Sequence, residues 1–323
     1  MKYRTLGRTG FEVSDVAQGL WGMSGWSGSN DEESRQAIQL AIDLGCNFFD
    51  TAWAYGDGKS DGLLGEALAK NKGKRIYAAS KIPPKNLKWP ASPKDKYQDA
   101  FPADHVFKYA QQIREKLQSD SIDLLQFHVW DDGWTDDPEF RDTVKKLKAD
   151  GWIRSFGLSL NRWEPENGLK AIRTGLVDVV QVIYSVFDQS PEDKLFPLCQ
   201  ELKIGVIARV ALDEGSLGGK MTPETRFPAS DWRSKYFGPE NLAATLPRVD
   251  ALKQIVPHGM TLPEMALRFV LSHPAVSTTI VGMRKLDHVR QNFALSDAGP
   301  LDATLLAKLK AHRWDRRPQR WSD

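Results

Sequence analysis

The sequence predicts an α/β fold, a parallel (β/α)8 TIM barrel with an N-terminal β-hairpin. Eight short apolar segments alternate with segments whose apolar residues recur at helical spacing, which is typical of parallel strands joined by helical crossovers. Polar residues gather where the predicted strands end, as they do on the catalytic face of such barrels. The length of 323 residues is usual for one barrel, so we expect a single domain over residues 1–323.

The first predicted element is the hairpin, in which segments 3–6 and 11–14 flank a glycine-containing turn. The eight predicted strands lie at residues 16–20, 47–51, 75–80, 121–127, 155–158, 177–183, 206–210 and 278–281. The eight predicted helices lie at 31–44, 61–68, 104–117, 138–149, 165–174, 191–201, 262–271 and 286–294. Gly45 should end the first helix, and Ser60 is the predicted N-cap of the second. The three longest predicted loops lie at 83–102, 128–137 and 210–241. Long loops in a compact domain tend to be functional.

Composition argues against several classes of partner. The net charge is only +2, which gives no sign of a nucleic-acid or membrane-surface partner. No apolar run approaches the roughly 20 residues that span a bilayer, and the first residues lack a signal-peptide core. Cys46 and Cys199 are the only cysteines, so neither a disulfide framework nor a metal site is expected. Together these features favour a cytoplasmic location and leave the oligomeric state open.

Two nucleotide-binding motifs are missing from the sequence. No G-x-G-x-x-G follows the first predicted strand, so a Rossmann interpretation lacks its phosphate-binding fingerprint. Residues 218–221 read Gly-Gly-Lys-Met, whereas a P-loop requires serine or threonine after the lysine. The sequence therefore indicates neither a Rossmann fold nor a P-loop.

Four titratable residues follow three successive predicted strands. Asp50 and Tyr55 come at the end of the 47–51 strand, Lys81 after the next strand, and His128 after the third. Because neighbouring strands lie roughly 4.8 Å apart, we expect these four side chains to meet. Lys81 is expected to lower the pKa of Tyr55, Asp50 to hold Lys81, and His128 to donate to a carbonyl oxygen. Such a site suits proton delivery to an oxygen that gains negative charge, as in a carbonyl that receives hydride.

At these positions the chain resembles the aldo-keto reductase superfamily. The segments that carry the resemblance are Phe49-Asp50-Thr51-Ala52-x-x-Tyr55-Gly56, Ala79-Ser80-Lys81 and Asp123-Leu124-Leu125-Gln126-Phe127-His128. The resemblance implies a TIM barrel that binds NADP(H), with NAD(H) possible, and a catalytic tetrad of Asp50, Tyr55, Lys81 and His128. Asp61 stands where the family usually has glutamate.

The resemblance also implies a set of cofactor contacts, which fall into two groups. Around the nicotinamide it places Ser159, Asn161 and Gln181 at the carboxamide, Arg209 under the ring, Asp50 nearby, and Gly19, Leu20 and Trp21 beside the ribose. Over the rest of the cofactor it places Leu212, Gly215, Leu217, Gly219 and Lys220 at the pyrophosphate, Gly282 and Arg284 at the 2′-phosphate, and Gln291 and Asn292 at the adenine. His288 stands where the family usually has arginine or glutamine, and it is expected near the same phosphate.

Tryptophan is enriched, with 11 residues, and several follow predicted strands. We expect Trp21, Trp53 and Trp130 to form an aromatic wall for the substrate together with Tyr55 and His128. Aromatic faces pack against the C–H faces of sugars, and Asp131 and Asp132 could accept hydroxyl hydrogen bonds. A small polar or polyhydroxylated carbonyl compound is therefore the expected substrate. Packing of these indoles beneath the loops is the alternative.

The predicted activity is reversible NADPH-dependent hydride transfer between the nicotinamide and a carbonyl or polyol substrate. Three alternatives are consistent with the same sequence. The enzyme could act mainly as an NADP-dependent sugar or alcohol dehydrogenase. The chain could be a cofactor-bound regulatory subunit resembling potassium-channel β-subunits. The barrel could also carry unrelated chemistry, such as that of a lyase or isomerase.

Overall fold

Eight parallel strands close into a barrel in the computed structural model, which describes residues 1–25 and 28–316. The hairpin strands are β1 (Tyr3–Thr5) and β2 (Glu12–Ser14), and the barrel strands are β3 (Val16–Gly19), β4 (Phe48–Asp50), β5 (Tyr77–Ile82), β6 (Ile122–Phe127), β7 (Ile153–Ser159), β8 (Val179–Ile183), β9 (Gly205–Arg209) and β10 (Thr278–Gly282). They follow chain order around the barrel, and β10 pairs with both β9 and β3. The predicted fold class is confirmed.

Helices cover the outside of the barrel. They are α1 (Asp31–Asp43), α2 (Lys59–Lys70), α3 (Tyr97–Ala100), α4 (Ala103–Leu117), α5 (Pro138–Ala149), α6 (Leu169–Arg173), α7 (Leu195–Glu201), α8 (Arg233–Tyr236), α9 (Pro239–Lys253), α10 (Leu262–Ser272), α11 (Leu286–Ala298) and α12 (Ala303–Lys310). Helices α3, α8, α9 and α12 were not predicted from the sequence. No helix in the described part of the chain is long and apolar enough to cross a lipid bilayer.

The predicted N-cap of α2 is wrong. Gly58 occupies that position with a φ of 79°, and Ser60 lies inside the helix, fully buried. The Ser60 hydroxyl accepts a hydrogen bond from Thr51 at 2.8 Å and donates to the Leu20 carbonyl at 3.2 Å. Ser60 therefore ties the start of α2 to the ends of two barrel strands instead of capping the helix.

The hairpin closes the end of the barrel where the strands begin. Leu6, Phe11 and Val13 are buried in one cluster with inward residues of the barrel strands, and the Phe11 ring stacks on Tyr77 at 4.6 Å. Gly7 allows the chain to approach β9, because a Cβ there would lie 2.1 Å from the Gly205 nitrogen. The opposite end of the barrel, where the strands finish, remains available for a site.

Candidate active site

A buried ion pair lies at the carboxyl ends of β4 and β5. The Lys81 ammonium donates to the Asp50 carboxylate at 2.6 Å and to the Thr51 carbonyl at 2.8 Å. Gln181, in the middle of β8, donates to the other Asp50 oxygen at 2.8 Å. Both charged side chains are essentially inaccessible to solvent, so the pair is fixed by its hydrogen bonds as well as by its charge.

Tyr55 and His128 adjoin this pair. The Lys81 nitrogen lies 5.3 Å from the centre of the Tyr55 ring, and the Tyr55 and His128 ring centres are 5.7 Å apart. Tyr55 is placed by a tight loop in which its amide donates to the Ala52 carbonyl at 2.9 Å. The structure therefore brings together all four side chains that the strand ends had predicted to meet.

The expected effect of Lys81 on the Tyr55 phenol is wrong for this structure. Burial raises the pKa of Tyr55 above its ordinary value, the nearby Asp50 carboxylate raises it further, and the positive charge of Arg209 opposes both effects. Burial also lowers the pKa of Lys81, although Asp50 opposes that change. Because burial disfavours the charged phenolate, Tyr55 stays protonated and can act as a proton donor.

His128 is held as a neutral imidazole. Burial lowers its pKa well below the ordinary value, and the positive charges of Lys81 and Arg209 lower it further. Its Nδ1 atom is buried without a hydrogen-bond partner among the described residues, and the Trp89 ring packs edge-on against it at 4.6 Å. A neutral imidazole retains one N–H donor, which suits a substrate carbonyl oxygen.

One cavity of about 830 Å³ opens beside these residues. The predicted site residues that line it are Gly19, Trp21, Asp50, Tyr55, His128, Ser159, Asn161, Gln181, Arg209, Leu212, Gly215, Gly282, Arg284 and His288. Lys81 lies behind this wall, fully buried. The cavity thus combines the four-residue cluster with most positions that had been predicted to contact a cofactor.

Six predicted cofactor residues lie outside the cavity lining. Leu20 and Leu217 are fully buried in the core, so their side chains do not face the cavity, and their contact with the cofactor stays a prediction. The other four are Gly219, Lys220, Gln291 and Asn292. Gln291 and Asn292 lie on α11, one helical turn after the cavity residue His288, and their contact with adenine stays a prediction.

Two of the tryptophans predicted at the substrate do not reach the cavity. Trp130 is fully buried and donates from its indole nitrogen to Asp132 at 2.9 Å. Trp53 packs edge-on against Tyr109 of α4 at 5.4 Å. Asp132 also accepts hydrogen bonds from the first amides of α6, so it serves the helix rather than a substrate. For Trp53 and Trp130, packing beneath the loops is the correct interpretation.

Two other tryptophans and an ion pair line the cavity in place of Trp53 and Trp130. Trp89 and Trp232 line the cavity with Trp21, and the Trp21 and Trp232 ring centres are 5.9 Å apart. Arg162 and Glu214 also line it and pair at 2.9 Å. Trp89 and Trp232 occur in the two longest predicted loops, so loop length was the available signal. Glu214 lies in the same predicted loop as Trp232, whereas no sequence feature singled out Arg162.

Arg209 and Asn161 differ in how many of their side-chain N–H donors are left for a ligand. Arg209 donates from one amino group to the Leu160 carbonyl at 2.9 Å, its Nε is buried without a partner among the described residues, and burial lowers its pKa to about 10. Both N–H donors of the Asn161 amide are used, by the Ala91 carbonyl at 3.3 Å and by Glu164 at 2.8 Å. Asn161 therefore cannot donate to a carboxamide as predicted without giving up one of these bonds.

Asp61 places a third carboxyl group beneath the site. It accepts a hydrogen bond from the Ser80 hydroxyl at 2.7 Å, and its second oxygen is buried without a partner among the described residues. Burial raises its pKa to about 7, against the opposing effects of Ser80 and Lys81. The unfolded chain has an ordinary value near 4, so the folded state binds this proton more tightly.

Asp61→Asn is expected to stabilise the protein at alkaline pH. The stability that protonated Asp61 provides is complete below about pH 4 and is lost as the pH rises through about 7. The advantage of the asparagine variant should therefore grow between pH 5 and pH 8, to on the order of 2–4 kcal/mol. Urea unfolding across this range measures it. Asp142→Asn, at an exposed carboxylate, should show no such trend, and a pH-independent difference for Asp61→Asn would contradict the prediction.

Comparisons with known proteins agree with this geometry. Residues 15–313 match the model of the Aldo/keto reductase family. The aldo-keto reductase YhdN of Bacillus subtilis (strain 168) is 29% identical over 302 residues, covering 88% of this chain and 86% of that protein. L-galactose dehydrogenase of Arabidopsis thaliana is 30% identical over 302 residues, covering 91% and 88%. The structure of the glycerol dehydrogenase AKR11B4 from Gluconobacter oxydans is 26% identical, with a TM-score of 0.79 and coverage of 96% and 94%. The chain therefore belongs to the aldo/keto reductase family of oxidoreductases.

Proposed function

We propose that this oxidoreductase transfers hydride reversibly between NADP(H) and a carbonyl or alcohol substrate, with Tyr55 as the proton donor. The observation that carries the proposal is the buried Asp50–Lys81 pair, with its 2.6 Å contact, directly behind Tyr55 at the cavity wall. Burial keeps the phenol protonated, and the neutral His128 ring beside it can orient a carbonyl oxygen. A proton donor and a hydrogen-bond donor thus face the same region of the cavity.

The chemistry of the cavity wall fits a nicotinamide dinucleotide. Gln181 uses its N–H on Asp50, so its carbonyl oxygen is left as an acceptor for a carboxamide, and Ser159 adds a hydroxyl. The planar Arg209 guanidinium suits stacking against an aromatic ring. Arg284 and Lys285 supply cationic groups on the same wall, where phosphates would bind. The bound cofactor supplies the hydride, and NAD(H) remains a possible second cofactor.

For the substrate, we propose a small polar or polyhydroxylated carbonyl compound, such as an aldose or keto-sugar. Trp21, Trp89 and Trp232 present ring surface to the cavity, and the Arg162–Glu214 pair offers donors and acceptors beside them. Indole faces pack well against sugar C–H groups. Two relatives, named L-galactose dehydrogenase and glycerol dehydrogenase, are named for hydroxylated substrates, which supports the same class.

A comparison of kcat/KM values tests the activity and the substrate class together. NADPH oxidation would be followed with aldoses, simple aromatic aldehydes and ketosteroids, and NADP⁺ reduction with the matching polyols. The proposal expects the hydroxylated compounds to rank first. Tight NADPH binding without turnover on any carbonyl would favour the regulatory-subunit alternative. Activity that needs no nicotinamide would favour lyase or isomerase chemistry, and faster oxidation than reduction would favour a dehydrogenase.

Arg284→Ala is expected to remove much of the preference for NADPH over NADH. Arg284 lines the cavity, and its guanidinium fork suits a 2′-phosphate, which NADH lacks. NADPH binding should weaken by about 1–3 kcal/mol, the range for hydrogen bonds to charged groups, while NADH affinity changes little. Fluorescence titration with both cofactors measures this. Arg290→Ala, on exposed α11 surface, is the matched control, and equal loss for NADH and NADPH in Arg284→Ala would exclude the assigned role.

A further inference from the structure

The segment after α12 returns to the end of the barrel that carries the cavity. The Trp314 amide donates to the Phe187 carbonyl at 2.8 Å, and the Trp314 ring packs edge-on against Phe187 at 6.0 Å. These contacts carry Arg316 inward, where its side chain is only 2% exposed. Arginine is almost never buried this deeply unless it is paired.

Arg316 joins two loops and helix α8 through charged hydrogen bonds. It donates to Asp213, which follows β9, at 2.7 Å and to the Tyr236 hydroxyl of α8 at 2.8 Å. It also donates to both oxygens of Asp188, which follows β8, with the Nε contact at 3.2 Å. The Arg316 guanidinium also lies over the Trp163 ring, 4.8 Å from its centre. The fixed fork of donors on arginine suits this arrangement of several acceptors.

The loop that Arg316 reaches has an unusual backbone. Asp213, Glu214 and Gly215 have successive φ values of 45°, 54° and 102°. Left-handed conformations are unfavourable for residues other than glycine, and they persist where surrounding contacts enforce them. Arg316 holds Asp213 from one side, and Arg162 holds Glu214 at 2.9 Å from the other. Asp213 also accepts a hydrogen bond from Ser216 at 2.6 Å.

This restrained segment forms part of the cavity wall. Leu212, Glu214 and Gly215 line the cavity, whereas Arg316 does not. We infer that Arg316 is a positioning residue, which holds the Asp213–Glu214–Gly215 segment in the conformation that binds NADP(H). The inference rests on the function proposed above. It adds a residue from the C-terminal segment that acts on the cofactor without touching it.

Charge explains why the loop depends on Arg316. Asp188 and Asp213 are both buried, and the negative charge of Asp213 favours protonation of Asp188. Arg316 lies between the two carboxylates and offsets their repulsion. Without it, two buried like charges would face each other, and the Asp213 backbone would lose the contact that favours its left-handed conformation. The cavity wall should then open more often.

The test compares Arg316→Met, Arg316→Lys and the unmodified full-length chain. NADPH binding and release would be followed by tryptophan fluorescence in a stopped-flow instrument. Arg316→Met should bind NADPH about tenfold more weakly, mainly through faster dissociation, since charged hydrogen bonds of ordinary strength are lost. The rate of a single hydride transfer at saturating NADPH should stay within about twofold. Arg316→Lys keeps a cation but not the fork, so its dissociation rate should fall between the other two.

Arg313→Met is the matched control. Arg313 lies in the same segment and pairs at 2.6 Å with Asp193 on the surface, so NADPH release should not change. Unchanged NADPH dissociation in the Arg316 variants would overturn the inference. A parallel loss of hydride transfer and thermal stability would also overturn it, because it would indicate a general structural role. If Arg316→Met does not fold, Arg316→Lys decides. An unmodified chain that binds no NADPH would instead overturn the proposed function.

Discussion

Tyr55→Phe is expected to lower kcat by about 10²–10⁴, the usual contribution of a positioned general acid. The substitution removes the hydroxyl that delivers the proton and keeps the ring that packs near Trp21 and His128. Cofactor affinity should therefore hardly change. Steady-state rates on the best carbonyl substrate, combined with NADPH titration, separate the loss of chemistry from any loss of binding.

Tyr109→Phe provides the matched control for this substitution. Tyr109 lies on α4, where it packs against Trp53 and His105, and it does not line the cavity. Because Tyr109→Phe removes a hydroxyl away from the cavity, kcat should not change. Near-normal turnover in Tyr55→Phe would eliminate Tyr55 as the proton donor and leave His128 as the residue to examine.

Lys81→Met should reduce both activity and stability. The substitution leaves Asp50 buried with no cation, and removal of one member of a buried pair typically costs about 3–5 kcal/mol. Tyr55 would also lose the cation 5.3 Å from its ring, so the oxygen that gains charge during the reaction would be less well stabilised. Denaturant unfolding and kcat measure the two effects separately.

Adding Asp50→Asn to Lys81→Met separates the loss of stability from the loss of activity. In Lys81→Met with Asp50→Asn, no buried charge is left unpaired, and the asparagine oxygen can still accept from Gln181. Most of the lost stability should return while activity stays low. Lys146→Met, at an exposed pair with Asp150, should cost less than about 1 kcal/mol. A stable and active Lys81→Met variant would contradict both the energetic and the catalytic assignment.

The barrel could be predicted because its strands are apolar and short and its helices have distinct apolar faces. Two of the missed helices, α3 and α8, are only four residues long, which is too short to show an apolar face. Helix α9 contains Pro247, which normally argues against a helix interior. Ser60 was misassigned because a serine before an acidic turn usually caps a helix. Here Gly58 reaches the left-handed conformation first, and the Ser60 hydroxyl is used by neighbouring strands.

In the candidate site, the residues at strand ends could be predicted to meet, whereas the positions of residues in loops could not. Asp50, Tyr55, Lys81 and His128 lie at or just after strand ends, so their meeting follows from the closure of the barrel. The tryptophans lie in loops, and the sequence does not specify which way a loop folds. Trp130 turns into the core, whereas Trp89 turns over the cavity. The raised pKa of Tyr55 could not be predicted from the sequence either, because it depends on how completely the fold buries the phenol.

The hairpin that closes the barrel affects the order in which the chain can fold. Arg8 donates its amide to the Lys203 carbonyl at 2.6 Å, and Arg4 donates to the carbonyls of Leu271 and Val276. Arg4 and Arg8 therefore bind residues that are synthesised much later than they are. Contacts between such distant parts of a chain slow folding, because loop closure must precede them. The full set of these hairpin contacts can therefore form only after Val276 has been synthesised.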